Sequence, residues 1–238
     1  MKNITLLALD TSTEACSVAL WHKGEKTHLD ELAQRTHTKR ILPMVDELLA
    51  NSGINLKQVD ALAFGRGPGS FTGVRVGAGI AQGLAFGADL PVIAVSNLTA
   101  MAQAAFELHQ AENVAAAIDA RMNEVYFSQV KVKREKVRSE LGEFFQWNPV
   151  IEEQVCQPEK VLEQLSDLTA YRVGTGWAAY PQFRDSGLEV SDIILPSAQY
   201  MLELALTDYA QNKVISALEI EPVYLRNEVT WKKLPGRE

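Results

Sequence analysis

The fold is decided by a glycine-rich stretch in the N-terminal half of the chain, GRGPGSFTGVRVGAGIAQGLAFG, which runs from Gly65 to Gly87. It follows a short apolar strand. Ser70 or Thr72 then provides the N-cap of a helix, because a hydroxyl oxygen can accept a hydrogen bond from a free amide of the first turn. We expect this helix to reach about Phe86, with Gly87 beyond its end. A buried strand, a tight loop and a long helix in this order are typical of an α/β protein.

The predicted helix carries two ridges of small residues and has an almost entirely apolar circumference. One ridge is Gly73, Gly77, Ala81 and Ala85, the other is Gly79, Gly83 and Gly87, and the polar interruptions are Arg75 and Gln82. Each interior glycine costs up to about 1 kcal/mol relative to alanine, so close approach of other backbones must compensate. We interpret one face as packing on a sheet and another as docking on a second protein. Burial of the whole helix within its own domain is the alternative.

The glycine-rich loop is not predicted to bind a nucleotide by itself, although helix N-termini often bind phosphate. The Walker pattern requires Gly-Lys followed by Ser or Thr, and no Lys follows any of these glycines. The dinucleotide fingerprint also fails, because Thr72 stands where its third glycine would be.

A second amphipathic helix is predicted over residues 38–51 and is closed by Gly53. We expect it to share the docking surface, and the two helices could also form a homodimer, since an apolar helix pair is readily self-complementary. The predicted interface consists of Ile41, Leu42, Val45 and Leu49 from this helix and Phe71, Val74, Arg75, Gly77, Ala78, Ala81, Gln82 and Ala85 from the glycine-rich helix.

The rest of the chain alternates strands and helices, with one internal echo. Residues 7–11 (LALDT) and 116–120 (AAIDA) both have the pattern of a strand, an Asp and a turn into a second strand. Chance is one explanation, and two related lobes are the other. We predict an α/β fold of mixed β-sheets flanked by helices. One lobe covers residues 1–108 and is completed by 214–238, and a second, degenerate lobe covers 109–213.

Composition indicates an ordinary globular protein. The net charge of −7 over 238 residues does not attract phosphate backbones, except in a C-terminal run of cations. That run is Arg226, Lys232, Lys233 and Arg237. It is either a solvated end or an auxiliary RNA contact. Cys16 and Cys156 are far apart and lack a CxxC partner, which favours free thiols in a reducing cytosol. No apolar run is long enough to span a membrane, so we expect a soluble, cytoplasmic protein.

Three motifs carry a resemblance to a known family: Leu9-Asp10-Thr11-Ser12-Thr13, the run GPGSFTGVR from Gly67 to Arg75, and Asp119-Ala120-Arg121. The chain resembles the TsaB (YeaZ) family, most strongly up to about residue 127. The resemblance implies an actin-like (ribonuclease-H-like) fold of two lobes. It also implies a role as the partner of TsaD, together with the ATPase TsaE, in forming threonylcarbamoyladenosine at position 37 of tRNA.

The resemblance further implies that metal chemistry is missing. TsaD, a paralogue, carries His-x-x-x-His at the start of the helix that follows the strand predicted over 91–95. The matching positions here are Asn97 and Met101, which are poor ligands for a hard or borderline divalent metal. We therefore expect a non-catalytic protein with no metal and no cofactor in the isolated chain. ATP at a partner interface stays open, and tRNA contact is expected mainly through the complex.

The actin-like resemblance also implies that several residues mark a vestigial nucleotide cleft: Asp10, Thr11, Ser12, Asp119, Arg121, Gly174 and Gly176. The alternative is that the two acids are turn formers that accept local backbone hydrogen bonds. Two other functions stay open at this point. A glycoprotease-like metallopeptidase lacks visible ligands, and an independent actin-like ATPase or sugar kinase lacks the phosphate-loop lysine.

Overall fold

The first β-sheet has five strands and is built from the N-terminal part of the chain. The computed structural model describes residues 3–33, 36–165, 167 and 169–226. The strands are β1 (Leu6–Asp10), β2 (Ala15–His22), β3 (Glu25–Leu32), β4 (Ala61–Gly65) and β5 (Val92–Val95). Their order is β3-β2-β1-β4-β5, with β1 antiparallel to β2 and parallel to β4. β1 and β4 are buried along their whole length, as expected for strands covered on both faces.

The second sheet repeats this arrangement. The next strands are β6 (Asn113–Asp119), β7 (Val125–Val132), β8 (Val137–Ser139), β9 (Gly142–Phe144), β10 (Trp147–Cys156) and β11 (Tyr171–Val173). The sheet order is β10-β7-β6-β11, with β6 antiparallel to β7 and parallel to β11, while β8 and β9 form a separate hairpin. β6 therefore takes the place of β1, and Asp119 ends its strand as Asp10 does. The echo marks two related lobes, and the predicted two-lobed, actin-like α/β fold is confirmed.

Helices cover both sheets. They are α1 (His37–Asn51), α2 (Phe71–Ala88), α3 (Asn97–His109), α4 (Pro158–Gln164), α5 (Gly176–Ala179), α6 (Pro181–Asp185) and α7 (Met201–Ala210). α1 and α2 pack on one face of the first sheet and α7 on the other. α3 lies between the sheets, since Ala100 packs in the core of the first and Met101 in that of the second. No helix in the described ranges is both long and apolar enough to cross a membrane.

The chain returns to the first lobe before residue 213. The predicted second lobe includes α7, yet the buried residues of α7 share a core with the first sheet. Beyond it, Ile215 pairs with Val92 at the edge of that sheet, and Ala217 and Ile220 enter the core beneath α1 and α2. The predicted boundaries stay a prediction, and this packing favours an earlier end for the second lobe. Residues 227–238 of the predicted completing segment lie outside the described residues.

Candidate functional site

Both ends of α2 are defined by capping contacts. Ser70 is the N-cap, and its Oγ accepts a hydrogen bond from the Gly73 amide at 3.0 Å. At the other end Asp89 adopts a left-handed conformation, with φ of 55°, and its amide donates to the Ala85 carbonyl. The prediction that Gly87 lies beyond the helix is wrong, because Asp89 supplies the left-handed C-cap that glycine usually provides.

The ridge that contains Gly73 and Gly77 faces inward and meets the loop after β1. Thr11 lies directly against it, and its Oγ1 donates to the Gly73 carbonyl at 2.7 Å. A Cβ on Gly77 would lie 2.9 Å from Thr11 Oγ1, and a Cβ on Gly73 would overlap the Thr11 carbonyl. Close backbone approach therefore explains these two glycines, as the sequence required.

The other ridge, Gly79, Gly83 and Gly87, faces outward, and a Cβ built on any of the three meets no atom within 4 Å. Phe71 and Phe86 stand on the same side at the two ends of the helix and are 57% and 71% exposed. No contact within the described part of the chain offsets the cost of these glycines, up to about 1 kcal/mol each. The outer face of α2 is defined by Phe71, Arg75, Gly79, Gln82, Gly83, Phe86 and Gly87.

The residues predicted to dock a partner divide between this outer face and the core. Leu42, Phe71, Arg75 and Gln82 are exposed. Those packed inside the first lobe are Ile41, Val45, Leu49, Val74, Gly77, Ala78, Ala81 and Ala85. These eight fill the space between the two helices and the sheet, so they have no surface to offer unless the core opens. The prediction is corrected for them, because what they contact is their own lobe.

Sequence reasoning missed a groove that continues the outer face. An open groove of about 680 Å³ lies between the end of α2 and the segment 214–218. Phe86 and Leu218 stand at its rim, and Leu218 is 76% exposed. Gln82 Nε2 donates to the Ala217 carbonyl at 3.0 Å and so fixes this segment beside the helix. The available signal was the group of apolar residues after α7, Val214, Ile215, Ala217 and Leu218.

The N-terminal end of the outer face is held by the C-terminal segment. The Arg75 guanidinium lies over the Phe71 ring, 3.7 Å from its centroid, and Arg75 Nε donates to the Tyr224 hydroxyl at 2.9 Å. Two residues further on, Arg226 forms an ion pair with Glu124 of the second lobe. This segment therefore connects α2 to the opposite lobe. Of the predicted basic run, Arg226 serves this internal contact, and the other three cations lie outside the described residues.

Asp10 is sealed inside the first lobe and does not line an open site. It is 1% exposed, and its carboxylate accepts hydrogen bonds from Asn97 Nδ2 at 2.8 Å and from Ser12 Oγ at 3.0 Å. Burial raises the pKa of Asp10 to about 6, although these hydrogen bonds lower it. Gly65 is required beneath it, since a Cβ there would overlap the carboxylate.

Asn97 and Met101, the positions compared with the TsaD histidines, both make structural contacts. Asn97 uses both ends of its amide, because Oδ1 accepts from the Gly67 amide at 2.7 Å while Nδ2 donates to Asp10. Met101 is fully buried and packs close to Gly174 in the core of the second lobe. Within the described ranges no group of three or more His, Cys, Asp or Glu side chains is placed to hold a metal ion.

Asp119, the counterpart of Asp10, caps a strained turn. Its Oδ1 accepts from the Tyr180 hydroxyl at 2.7 Å and from the Arg121 amide at 2.8 Å. Arg121, Met122 and Asn123 all have positive φ, between 56° and 62°, which costs energy for residues other than glycine. These contacts are those of a turn former, as one of the two interpretations predicted.

A cleft of about 380 Å³ lies between the lobes at these turns. Of the predicted cleft residues, Ser12, Asp119 and Arg121 line it, whereas Asp10, Thr11, Gly174 and Gly176 do not. Asp10 and Thr11 are buried behind its wall, and the two glycines pack against Ala117 of β6. The first turn of α2 reaches the cleft at Ser70 and Phe71. Three of the seven predicted residues therefore line a cleft, and its relation to a nucleotide stays a prediction.

Comparison with known proteins places the chain. The family model described as "TsaD: tRNA N6-adenosine threonylcarbamoyltransferase" matches residues 28–231. The "tRNA threonylcarbamoyladenosine biosynthesis protein TsaB" of Haemophilus influenzae is 78% identical over 238 residues, with 100% of each chain covered. The protein of the same name in Escherichia coli K12 is 50% identical, covering 98% of this chain and 99% of its own. The chain belongs to the TsaB family. The predicted family is therefore confirmed.

Solved structures similar to this TsaB-family chain agree in fold. A Pseudomonas aeruginosa protein described as similar to the peptidase YeaZ superposes with a TM-score of 0.82 at 44% identity, covering 94% of this chain and 100% of its own. A second, described as YeaZ from the same organism, gives a TM-score of 0.79 at 43% identity, covering 93% and 100%. This chain and the two Pseudomonas aeruginosa structures therefore share the two-sheet arrangement.

Proposed function

We propose that this chain is a non-catalytic partner and activator of a TsaD-type enzyme in forming the threonylcarbamoyl modification on adenosine 37 of tRNAs. The relatives that cover the whole chain are named for threonylcarbamoyladenosine biosynthesis. The observation that carries the proposal is the outer face of α2. It is a helix surface whose glycines cost stability and are explained by no contact within the described residues.

The outer face has the features of a helix-docking surface. Its glycine ridge leaves the backbone bare, so a partner helix can approach more closely than side chains normally allow. Exposed aromatic anchors, Phe71 and Phe86, stand at either end, and such anchors carry much of the binding energy at interfaces. The groove at Leu218 continues the apolar area, and Leu42 of α1 is a further exposed apolar residue. We infer that a TsaD-type protein occupies this surface and that a second copy of the chain occupies it when that protein is absent.

The docking assignment is tested by adding a side chain to the outer face. Gly83→Leu fills the ridge at a position where an added Cβ meets no atom within 4 Å. It should abolish copurification with a TsaD-type protein. Ala178→Leu, at an exposed helical position in the second lobe, is the matched control and should copurify normally. Both variants should retain the circular dichroism spectrum of the parent. Normal copurification of the Gly83→Leu variant would refute the assignment of the docking surface to α2.

The activator role is tested separately. Threonylcarbamoyladenosine formation on tRNA is measured with this chain, a TsaD-type protein and a TsaE-type ATPase, and each protein is omitted in turn. We expect the product rate to fall sharply when this chain is left out. Full product formation without it would refute the proposal.

Non-catalytic status is supported by the contacts of Asn97 and Met101, the positions that match the TsaD histidines. Asn97 is committed to Asp10 and the Gly67 amide, and Met101 to the core, so neither is available to a metal. We propose that chemistry resides in the TsaD-type partner. A TsaE-type partner, ATP at a partner interface, tRNA contact through the complex and a cytoplasmic location stay predictions.

A further inference from the structure

The segment from Lys131 to Arg138 concentrates positive charge in an acidic protein, whereas the rest of the β8–β9 hairpin carries Glu140 and Glu143. Residues 131–138 (KVKREKVR) contain five cationic side chains and one anionic side chain, a net charge of +4. Since the whole chain carries −7, the remaining residues carry −11. A chain with this balance repels polyanions everywhere except where its cations are gathered.

Lys133 of this segment lines a cleft that is formed with α3, α7 and the residues just before β10. The cleft has a volume of about 290 Å³, and Lys133, Lys213 and Arg66 line it. Arg66 is paired with Glu153 at 3.0 Å, and Asp208 is the one carboxylate among the described residues that line the cleft. Lys133, which lies before the hairpin, and Lys213, which follows α7, are therefore the lining cations without a salt-bridge partner among the described residues.

Aromatic side chains accompany these cations. Phe145 lines the cleft, and Lys136 Nζ lies 4.6 Å from the centre of its ring. Trp147 lines the same cleft, and its indole is fixed by a 2.9 Å hydrogen bond to Gln103. Both rings are half-buried, and cations beside accessible aromatic edges are a combination with which proteins bind the phosphates and unstacked bases of RNA.

The hairpin presents its charges on a fixed support. Phe144 of β9 is buried in the core between α7 and the first sheet. Arg138 keeps its side chain 80% exposed, although it contacts Glu143 at 3.0 Å. Pairing with one carboxylate leaves most of its donors open to a phosphate, because a guanidinium has five N–H groups. The basic surface is defined by Lys133, Arg134, Lys136, Arg138, Lys213 and Phe145.

We propose that the basic surface contacts the phosphate backbone of tRNA held by the complex, an inference that rests on the proposed function. Each phosphate neutralised by a Lys or Arg releases counterions, so the contact strengthens binding without sequence specificity. The surface is separate from the outer face of α2, so tRNA and the TsaD-type protein do not compete for it.

The test measures tRNA affinity of the assembled complex by fluorescence anisotropy between 50 and 200 mM salt. The variant K133E/K136E/R138E should copurify with the TsaD-type protein and bind tRNA about tenfold or more weakly. Its plot of log affinity against log salt should be shallower by about 2, since each lost contact removes roughly 0.7–0.9 from the slope. The control K23E/K57E/K160E changes the net charge equally, at exposed positions away from this surface, and should bind nearly as the parent does.

The results separate this inference from the proposed function. Failure of the unchanged chain to copurify with a TsaD-type protein refutes the function. Normal copurification with equal tRNA affinity and equal salt slope for variant and control overturns the inference. Loss of a protein partner with unchanged tRNA affinity assigns the surface to that protein and also overturns it. If the Glu variant fails to fold, K133A/K136A/R138A is measured in its place against K23A/K57A/K160A, with the same criteria.

Discussion

The two glycine ridges of α2 predict opposite effects of the same substitution. On the outer face, Gly79→Ala with Gly83→Ala adds two methyl groups that meet no atom within 4 Å. Alanine is favoured over glycine in a helix by about 1 kcal/mol, so the pair should stabilise the isolated chain by up to ~2 kcal/mol. For a chain of this length that corresponds to a rise in Tm of about 4–8 °C. On the inner face, the Cβ of Gly77→Ala would lie 2.9 Å from Thr11 Oγ1.

The inner substitution should therefore destabilise the chain. Thr11 cannot move freely, because its hydroxyl donates to the Gly73 carbonyl at 2.7 Å, and overpacking of this kind costs about 1–3 kcal/mol. Urea and thermal unfolding followed by circular dichroism provide the measurement, at a concentration where sedimentation shows a monomer. A lower stability of the Gly79→Ala/Gly83→Ala variant would show that the outer face is covered in the isolated chain. A gain for Gly77→Ala would contradict the packing of Thr11 against the helix.

Three further predictions concern stability. Burial raises the pKa of Asp10 from 3.8 to about 6. The protonated carboxyl therefore contributes its full stabilisation below pH 3.8, and the free energy of unfolding falls by roughly 3 kcal/mol as the pH rises through 6. Asp10→Asn should remove most of that dependence in urea unfolding between pH 4 and 8, and an unchanged dependence would contradict the burial. Trp177→Ala should cost about 3–5 kcal/mol, since the indole is fully buried and its N–H donates to the Val173 carbonyl at 3.1 Å; unfolding in urea measures this, and a loss below 1 kcal/mol would refute it. Arg226 donates a hydrogen bond to the Ala120 carbonyl, so Arg226→Ala should speed amide exchange at residues 120–124 and leave exchange in β1 as in the parent. Equal exchange rates at residues 120–124 in the variant and the parent would show that this contact does not hold the turn.

Local patterns predicted α2 and the elements beside it because the interactions that define them are short-range. The Ser70 N-cap and the glycine-rich ridges are readable from residues within one or two turns of each other. Assignment of the interface failed where it depended on which side of the helix meets the sheet. A helix that is apolar all round gives no polar face from which to read that orientation, so buried Ala81 and exposed Gly79 looked alike.

The hairpin β8–β9 and strand β10 escaped prediction for a different reason. Their sequence is rich in charge, and single buried residues such as Phe144 anchor them to a helix far along the chain. Contacts of that range leave no periodic signal. The burial of Asp10 was missed for the same reason, because it depends on Asn97, 87 residues away.

The equivalent positions of the two lobes differ in their access to the cleft, and Asn97 accounts for the difference. Asp119 still reaches the cleft between the lobes, whereas Asp10 is closed off by Asn97. The same Asn97 accepts a hydrogen bond from the Gly67 amide and so fixes the loop that leads into α2. A histidine with one ring nitrogen bound to a metal would keep only the other nitrogen, so it could not make both of these hydrogen bonds. On the proposed function, the residue that replaces a metal-binding histidine is therefore also one that fixes the loop before α2.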